Sequence, residues 1–266
     1  MQTKSTDVPA RLTVGTRFKT ILACARDELS AFWLFVMRPR RTPLQSATPT
    51  CGVNALGAFS RIILMLLFMI AFDLAVTTPI EFAMEHWFQL SSTLDMNSIK
   101  AVIGGLIIAP IIEELSWRAG LRSVKYGLFV APVGTLLIIS KDLLLGLGIS
   151  VVIVVIAVAA AMMDEQRDRK CVAGFRFARG RRFILLYPLV FWVNAISFAL
   201  AHAANFTSND TLGIVPYFAV SSQLMSGIML GYLRLRDRLR SAIALHFLLN
   251  LFAIGMGILA GEIRLW

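Results

Sequence analysis

Charge is scarce in this chain. Only 16% of its 266 residues are Asp, Glu, Lys or Arg, against 57% hydrophobic residues, and the mean hydropathy is +0.72. Those values exclude an ordinary soluble domain and a disordered chain. Cysteine and histidine are rarer still, with three of each. Cys24, Cys51 and Cys171 stand far apart, without CxxC or Cys/His spacing, so neither a thiolate metal site nor a disulfide frame is expected. No HExxH and no glycine-rich phosphate loop is present, which removes the helix-borne two-histidine metalloprotease and the nucleotide-binding loop. The halves show no repeat of the kind transporters carry. The first twenty residues lack an apolar core and a small-residue cleavage site, so no signal peptide is expected.

What the chain has is long apolar runs. Candidate spans fall near 62–80, 101–117, 126–140, 143–163, 183–204, 215–233 and 242–261, each approaching the ~20 residues that cross a bilayer. The expected fold is all-α: a polytopic transmembrane bundle of about seven spans, within a range of six to eight. The net charge of +10 is distributed as topology, not as a nucleic-acid surface. Basic residues collect before residue 62, at Arg118, Arg122 and Lys125, in 164–182 and in 234–240. The connections between are acidic or neutral. With seven spans the alternation puts the N-terminus in the cytoplasm and the C-terminus on the far side, with anionic lipid as the partner of the basic clusters. Residues 21–37 read as an amphipathic helix on the inner surface. The expected organisation is therefore a cytoplasmic segment 1–58 carrying that helix, then a bundle over 59–266.

Few polar groups lie within the apolar runs, and these are the informative ones. IIEELSWRAG at 111–120 sets Glu113 and Glu114 at the end of an uncharged stretch. Glu114 and Arg118, at i and i+4, share a helix face and can pair; Glu113 has no partner on its own helix. Two readings stay open for these three: a solvated boundary ion pair, or part of an interior site. The fifth span ends ISFALAHAAN with Phe198 and His202 at i, i+4, and the seventh reads SAIALHFLLN with His246 and Asn250 at i, i+4. A single intramembrane histidine is commonly a helix–helix hydrogen bond. Two histidines, an asparagine and an unpaired glutamate on three spans are better satisfied in one shared cavity than separately. His86 reads as structural. Asp73, inside the first span, has no evident partner.

In this order, EExxxR (Glu113, Glu114, Arg118), FxxxH (Phe198, His202) and HxxxN (His246, Asn250) resemble the CPBP intramembrane proteases. That family includes the type II CAAX prenyl endopeptidases and bacteriocin-processing homologues. The likeness covers roughly residues 100–260. The stretch after the glutamates, Trp117-Arg118-Ala119-Gly120, is one residue longer than the family's usual aromatic-Arg-Gly. The chain between Glu114 and Phe198 is also longer, and the excess at 126–182 reads as an inserted helical hairpin with a basic loop. The resemblance implies that Glu113 and His202 hold and deprotonate a water. His246 and Asn250 would donate to an oxyanion, while Glu114, Arg118 and Phe198 support the site. Glu113, His202 and His246 could also supply three zinc ligands with an open fourth position, and a metal-free site built from the same residues serves equally.

The implied function is an intramembrane endopeptidase acting on a membrane-associated peptide or protein. Two readings from other classes stand beside it: a catalytically silent immunity or scaffold protein with intact motifs, and a small-solute transporter, which the missing repeat disfavours.

Overall fold

A computed structural model describes residues 14–40, 56–122, 174–211 and 213–263, with two isolated positions at 148 and 152. It is almost entirely helical. Helix α1 is Val14–Met37 and α2 is Ala58–Phe88. Helix α3, over 99–121, is a run of short pieces: Ile99–Ile103, a π-turn at Gly104–Ile108, Ala109–Glu113, a second π-turn at Glu114–Arg118, and a closing 3₁₀ turn at Ala119–Leu121. Then come α4 (Gly174–His202), α5 (Val215–Ala219), α6 (Ser221–Arg236) and α7 (Leu239–Leu259). The two-residue strands β1 (Ser91–Ser92) and β2 (Phe206–Thr207) pair antiparallel at one end of the bundle. The expected spans at 126–140 and 143–163, and the hairpin and loop expected at 126–182, lie largely outside the described residues.

The breaks have local causes. Helix α2 contains its own π-turn, Asp73–Thr77, just before Pro79, whose missing N–H suits the restart of the helix there. It stops at Gln89, which takes a left-handed φ of 51° and donates its N–H to the Glu85 carbonyl. Ser98 caps α3 by accepting from the Ala101 N–H at 3.2 Å. The single span expected at 215–233 is in fact two helices divided at Val220. Asp210 accepts from the N–H groups of Ile214 and Val215 ahead of α5. The Ser208 hydroxyl, followed by those amides, holds the Asp210 carboxyl below its ordinary range.

Helix α6 is the axis of the bundle, packed on α4, α7 and α2. Its residues from Gly227 to Leu233 are all buried, and Met229, Leu230, Tyr232 and Leu233 have no exposed surface. Gly227 and Gly231, four apart, allow α4 to lie close. A methyl added at Gly231 would sit 2.7 Å from the Phe191 ring, the close approach that small residues permit between membrane helices. Around α6 gather Phe32 and Phe35 of α1, Met65 and Met69 of α2, Tyr187 and Phe191 of α4, and Leu245 of α7. The outward faces carry Leu67, Ile108, Leu185, Leu189, Val193 and Leu251. In water such a surface would be untenable, but it suits lipid. Three helices, Ala58–Phe88, Ile184–Asn205 and Leu239–Leu259, are long and apolar enough to cross a bilayer.

Helix α1 is tied to this core by more than its phenylalanines. Buried Glu28 pairs with Arg61 of α2 at 2.8 Å and with Arg236 of α6 at 3.4 Å, and accepts from the Tyr232 hydroxyl at 2.6 Å. Arg61 also pairs with Asp237. One acid thus links three helices. Cys24, one turn before Glu28, is disulfide-bonded, a correction to the expectation drawn from three isolated cysteines.

Candidate active site

The second π-turn of α3 carries the first part of the site. Glu114 and Arg118 are both fully buried, and their nearest charged atoms lie 3.4 Å apart. The expected i, i+4 pair is therefore an interior ion pair, not a boundary one. The guanidinium carbon of Arg118 lies 3.7 Å from the centroid of the Phe198 ring, so α4 meets the cation with an aromatic face. Phe198 in turn packs edge-on against Trp117, with centroids 5.4 Å apart.

Glu113 closes the preceding helical piece and faces a different way. Its Oε2 lies 3.6 Å from Nε2 of His202 on α4 and 3.7 Å from Nε2 of His246 on α7. These separations exceed a direct N···O hydrogen bond and suit one bridging atom between each pair. The far nitrogen of each imidazole is engaged. Nδ1 of His202 lies 2.8 Å from the Phe198 carbonyl, which can only accept, so that nitrogen carries a proton. Nδ1 of His246 lies 3.0 Å from Oε1 of Glu114 and donates to that carboxylate by the same argument. These assignments follow from the partners present. Both histidines therefore turn Nε2 toward the Glu113 carboxylate.

Asn250, one turn beyond His246, donates to the carbonyl of Gly105 at 2.8 Å. That carbonyl belongs to the first π-turn of α3, so the asparagine joins α7 to α3 and keeps a second N–H for another acceptor. Glu113, Glu114, His202 and His246 gather from three helices, with Arg118 and Phe198 against them; Asn250 is held at the edge of this group, on the same helix as His246. His86 is exposed near the end of α2, away from the cluster.

Several supporting residues carry no motif. The Trp117 indole N–H donates to the Ser197 hydroxyl at 3.2 Å, Ser197 donates to the Asn194 carbonyl, and the Asn194 amide donates to the Trp117 carbonyl. Arg234 of α6 donates to the Arg118 carbonyl at 3.2 Å. The i, i+3 pair Asn194/Ser197, beside Phe198 on an apolar helix, is the one sequence signal that could have pointed to this clasp.

Among the described residues, no group of three His, Cys, Asp or Glu side chains is arranged to hold a metal ion. Glu113, His202 and His246 approach one another but do not form such a set, and no step below passes through a metal.

A family model described as type II CAAX prenyl endopeptidase Rce1-like matches residues 95–252. The match begins just before α3 and ends two residues past Asn250, so it takes in every residue of the cluster. Comparisons with curated proteins and with solved structures find no match.

Proposed function

Because the chain belongs to the type II CAAX prenyl endopeptidase Rce1-like family, an integral membrane peptidase family, we propose that it is an endopeptidase hydrolysing a membrane-associated peptide or protein at the Glu113 cluster. One observation carries this reading: a single carboxylate oxygen of Glu113 faces two imidazole nitrogens whose other ends are engaged.

In this reading a water sits between Glu113 and His202. Both present acceptors, the Oε2 lone pairs and the His202 Nε2 lone pair, so each takes one of the water's two hydrogens and the oxygen is aimed at the scissile carbonyl. Glu113 receives a proton as the water oxygen bonds to the carbonyl carbon. The C–N bond then breaks, and the same proton passes to the leaving amine. The electron pair displaced from the carbonyl becomes an oxyanion, which needs preorganised donors.

His246 and the free N–H of Asn250 supply them. For His246 to donate from Nε2 it must be doubly protonated, because Nδ1 already donates to Glu114. The local charge count favours that form. Glu113, Glu114 and Arg118 sum to one negative charge, and a proton on His246 brings the cluster to zero, the cheapest state inside a bilayer.

The division between the glutamates follows. Glu113 does the proton chemistry, and Glu114, shared by Arg118 and His246, holds the cation and the donor in place. The test compares the membrane proteome of cells carrying the wild-type chain with that of cells carrying Glu113→Gln. A fragment that appears only with the wild type identifies a substrate and supports the reading. An identified substrate cleaved at the wild-type rate by Glu113→Gln overturns it.

A further inference from the structure

Most buried or partly buried carboxylates of the described residues face a cation or an imidazole. Glu28 has Arg61 and Arg236, Asp237 has Arg61, Glu114 has Arg118, and Glu113 has two histidines. Asp73 and Glu81, within the apolar length of α2, have no cation paired with them among the described residues. An unpaired acid at the centre of a bilayer costs about 2.5–3.5 kcal/mol on insertion scales. Two on one helix call for a reason.

Their surroundings supply it. Asp73, Thr77 and Glu81 recur every four residues and form a stripe along α2, starting in the π-turn, a feature often found at functional sites. The π-turn packs on α6, where Ser222 lies beside Asp73. Thr77 is only 3% exposed. Its hydroxyl oxygen, one oxygen of Asp73 and the Gln223 Oε1 are all buried with no hydrogen-bond partner in the protein. Every one of these orphaned atoms is an oxygen that accepts. Such a row needs a small ligand that donates several hydrogen bonds, which is what water does.

The row also leads somewhere. It starts at Glu81, toward the end of the bundle where β1 and β2 pair, and descends α2 to Asp73. It crosses to Ser222 and Gln223 and continues on α6 to Ser226, whose hydroxyl donates to the Gln223 carbonyl. The next residue is Gly227, where an added methyl would meet the Phe198 ring at 3.0 Å and an Arg118 nitrogen at 3.4 Å. The polar row therefore ends against the cluster that the proposed reaction uses.

We propose that the α2–α6 interface is a water inlet that supplies the Glu113 site from the β1–β2 end of the bundle. It rests on the hydrolytic reading above, since each bond cleaved consumes one water. The outward faces of the helices, being leucine, isoleucine, valine and phenylalanine, offer water no comparable route.

Accessibility tests the inlet without relying on activity. Asp73→Cys and Thr77→Cys lie on the stripe; Leu74→Cys and Val76→Cys lie at the same depth on the exposed, lipid-side face of α2. Each full-length variant is reconstituted in vesicles and treated with a small, membrane-impermeant cationic methanethiosulfonate, and labelling above the parent chain is counted. The inlet predicts labelling at 73 and 77, and loss of that signal at 74 and 76. Equal labelling at all four positions, or none at 77, overturns it. Thr77→Val, which keeps the shape and removes the hydroxyl, should lower kcat and leave KM unchanged; an unchanged kcat also overturns the inlet. If the wild-type chain cleaves nothing while the labelling pattern holds, the hydrolytic reading fails and the hydrated row remains. If the labelling is uniform while cleavage persists, the inlet alone fails.

Discussion

Oε1 of Glu114 lies 3.0 Å from Nδ1 of His246 and 3.4 Å from Nη1 of Arg118. One buried oxygen therefore serves a cation on its own helix and an imidazole 132 residues away. Removing Arg118 would leave that carboxylate with half its partners in a site without exposed surface. Breaking a buried pair from one side typically costs about 3–5 kcal/mol. Arg118→Ala should lower both the melting temperature in detergent and the amount of protein in the membrane. Arg118→Lys should recover only part, because an ammonium cannot spread over the Phe198 ring as a guanidinium does. Wild-type stability in Arg118→Ala would show the pair to be without structural weight.

If Glu113 and His202 hold one water, their effects cannot add. Glu113→Gln and His202→Ala should each nearly abolish cleavage with the fold intact, and the double variant should be hardly slower than either single. Rate losses that multiply would mean the two act on separate steps.

Asn250→Ala removes a proposed oxyanion donor and also frees the Gly105 carbonyl. A loss on the order of 10²–10³ in kcat is expected for the donor. The freed carbonyl adds about 1–3 kcal/mol of destabilisation, read as a lower melting temperature. A rate loss without the stability loss would separate the two roles.

Gly231→Ala tests how closely α4 and α6 are packed. The new methyl meets the Phe191 ring at 2.7 Å, so the ring must turn or the helices must part, at a cost of about 1–3 kcal/mol. Because Gly231 lies one turn from Gly227, beneath Phe198, activity should fall along with stability. A variant as stable as wild type would show that Phe191 has room to rotate.

The cluster itself was legible in the sequence, and its wiring was not. Spacing within one helix revealed Glu114/Arg118, Phe198/His202 and His246/Asn250, because i and i+4 side chains share a face whatever the tertiary structure. It could not show His246 on Glu114, Asn250 on Gly105, or Glu28 between Arg61 and Arg236. Those contacts join helices whose relative rotation depends on packing. The helix ends failed for a related reason. Hydropathy reads 215–233 as one run, yet Val220 divides it, and 183–204 marks only the apolar part of a helix that starts at Gly174. The π-turns were invisible to a periodicity that assumes 3.6 residues per turn.

Those π-turns bear on what changes the chain can accept over evolutionary time. Each is an α-helix widened by one residue, and two of them precede or contain the charged residues of α3. Substitutions at Ile107 or Ile108, on the exposed side, leave the phase of the helix alone. Losing one residue from Gly104–Ile108 would heal the bulge into regular helix and turn everything after it by about 100°. The two glutamates would then exchange faces, with Glu114 swung from Arg118 and His246 toward the place of Glu113. Lineages of this chain should therefore vary freely in the side chains of this stretch and hold its length fixed.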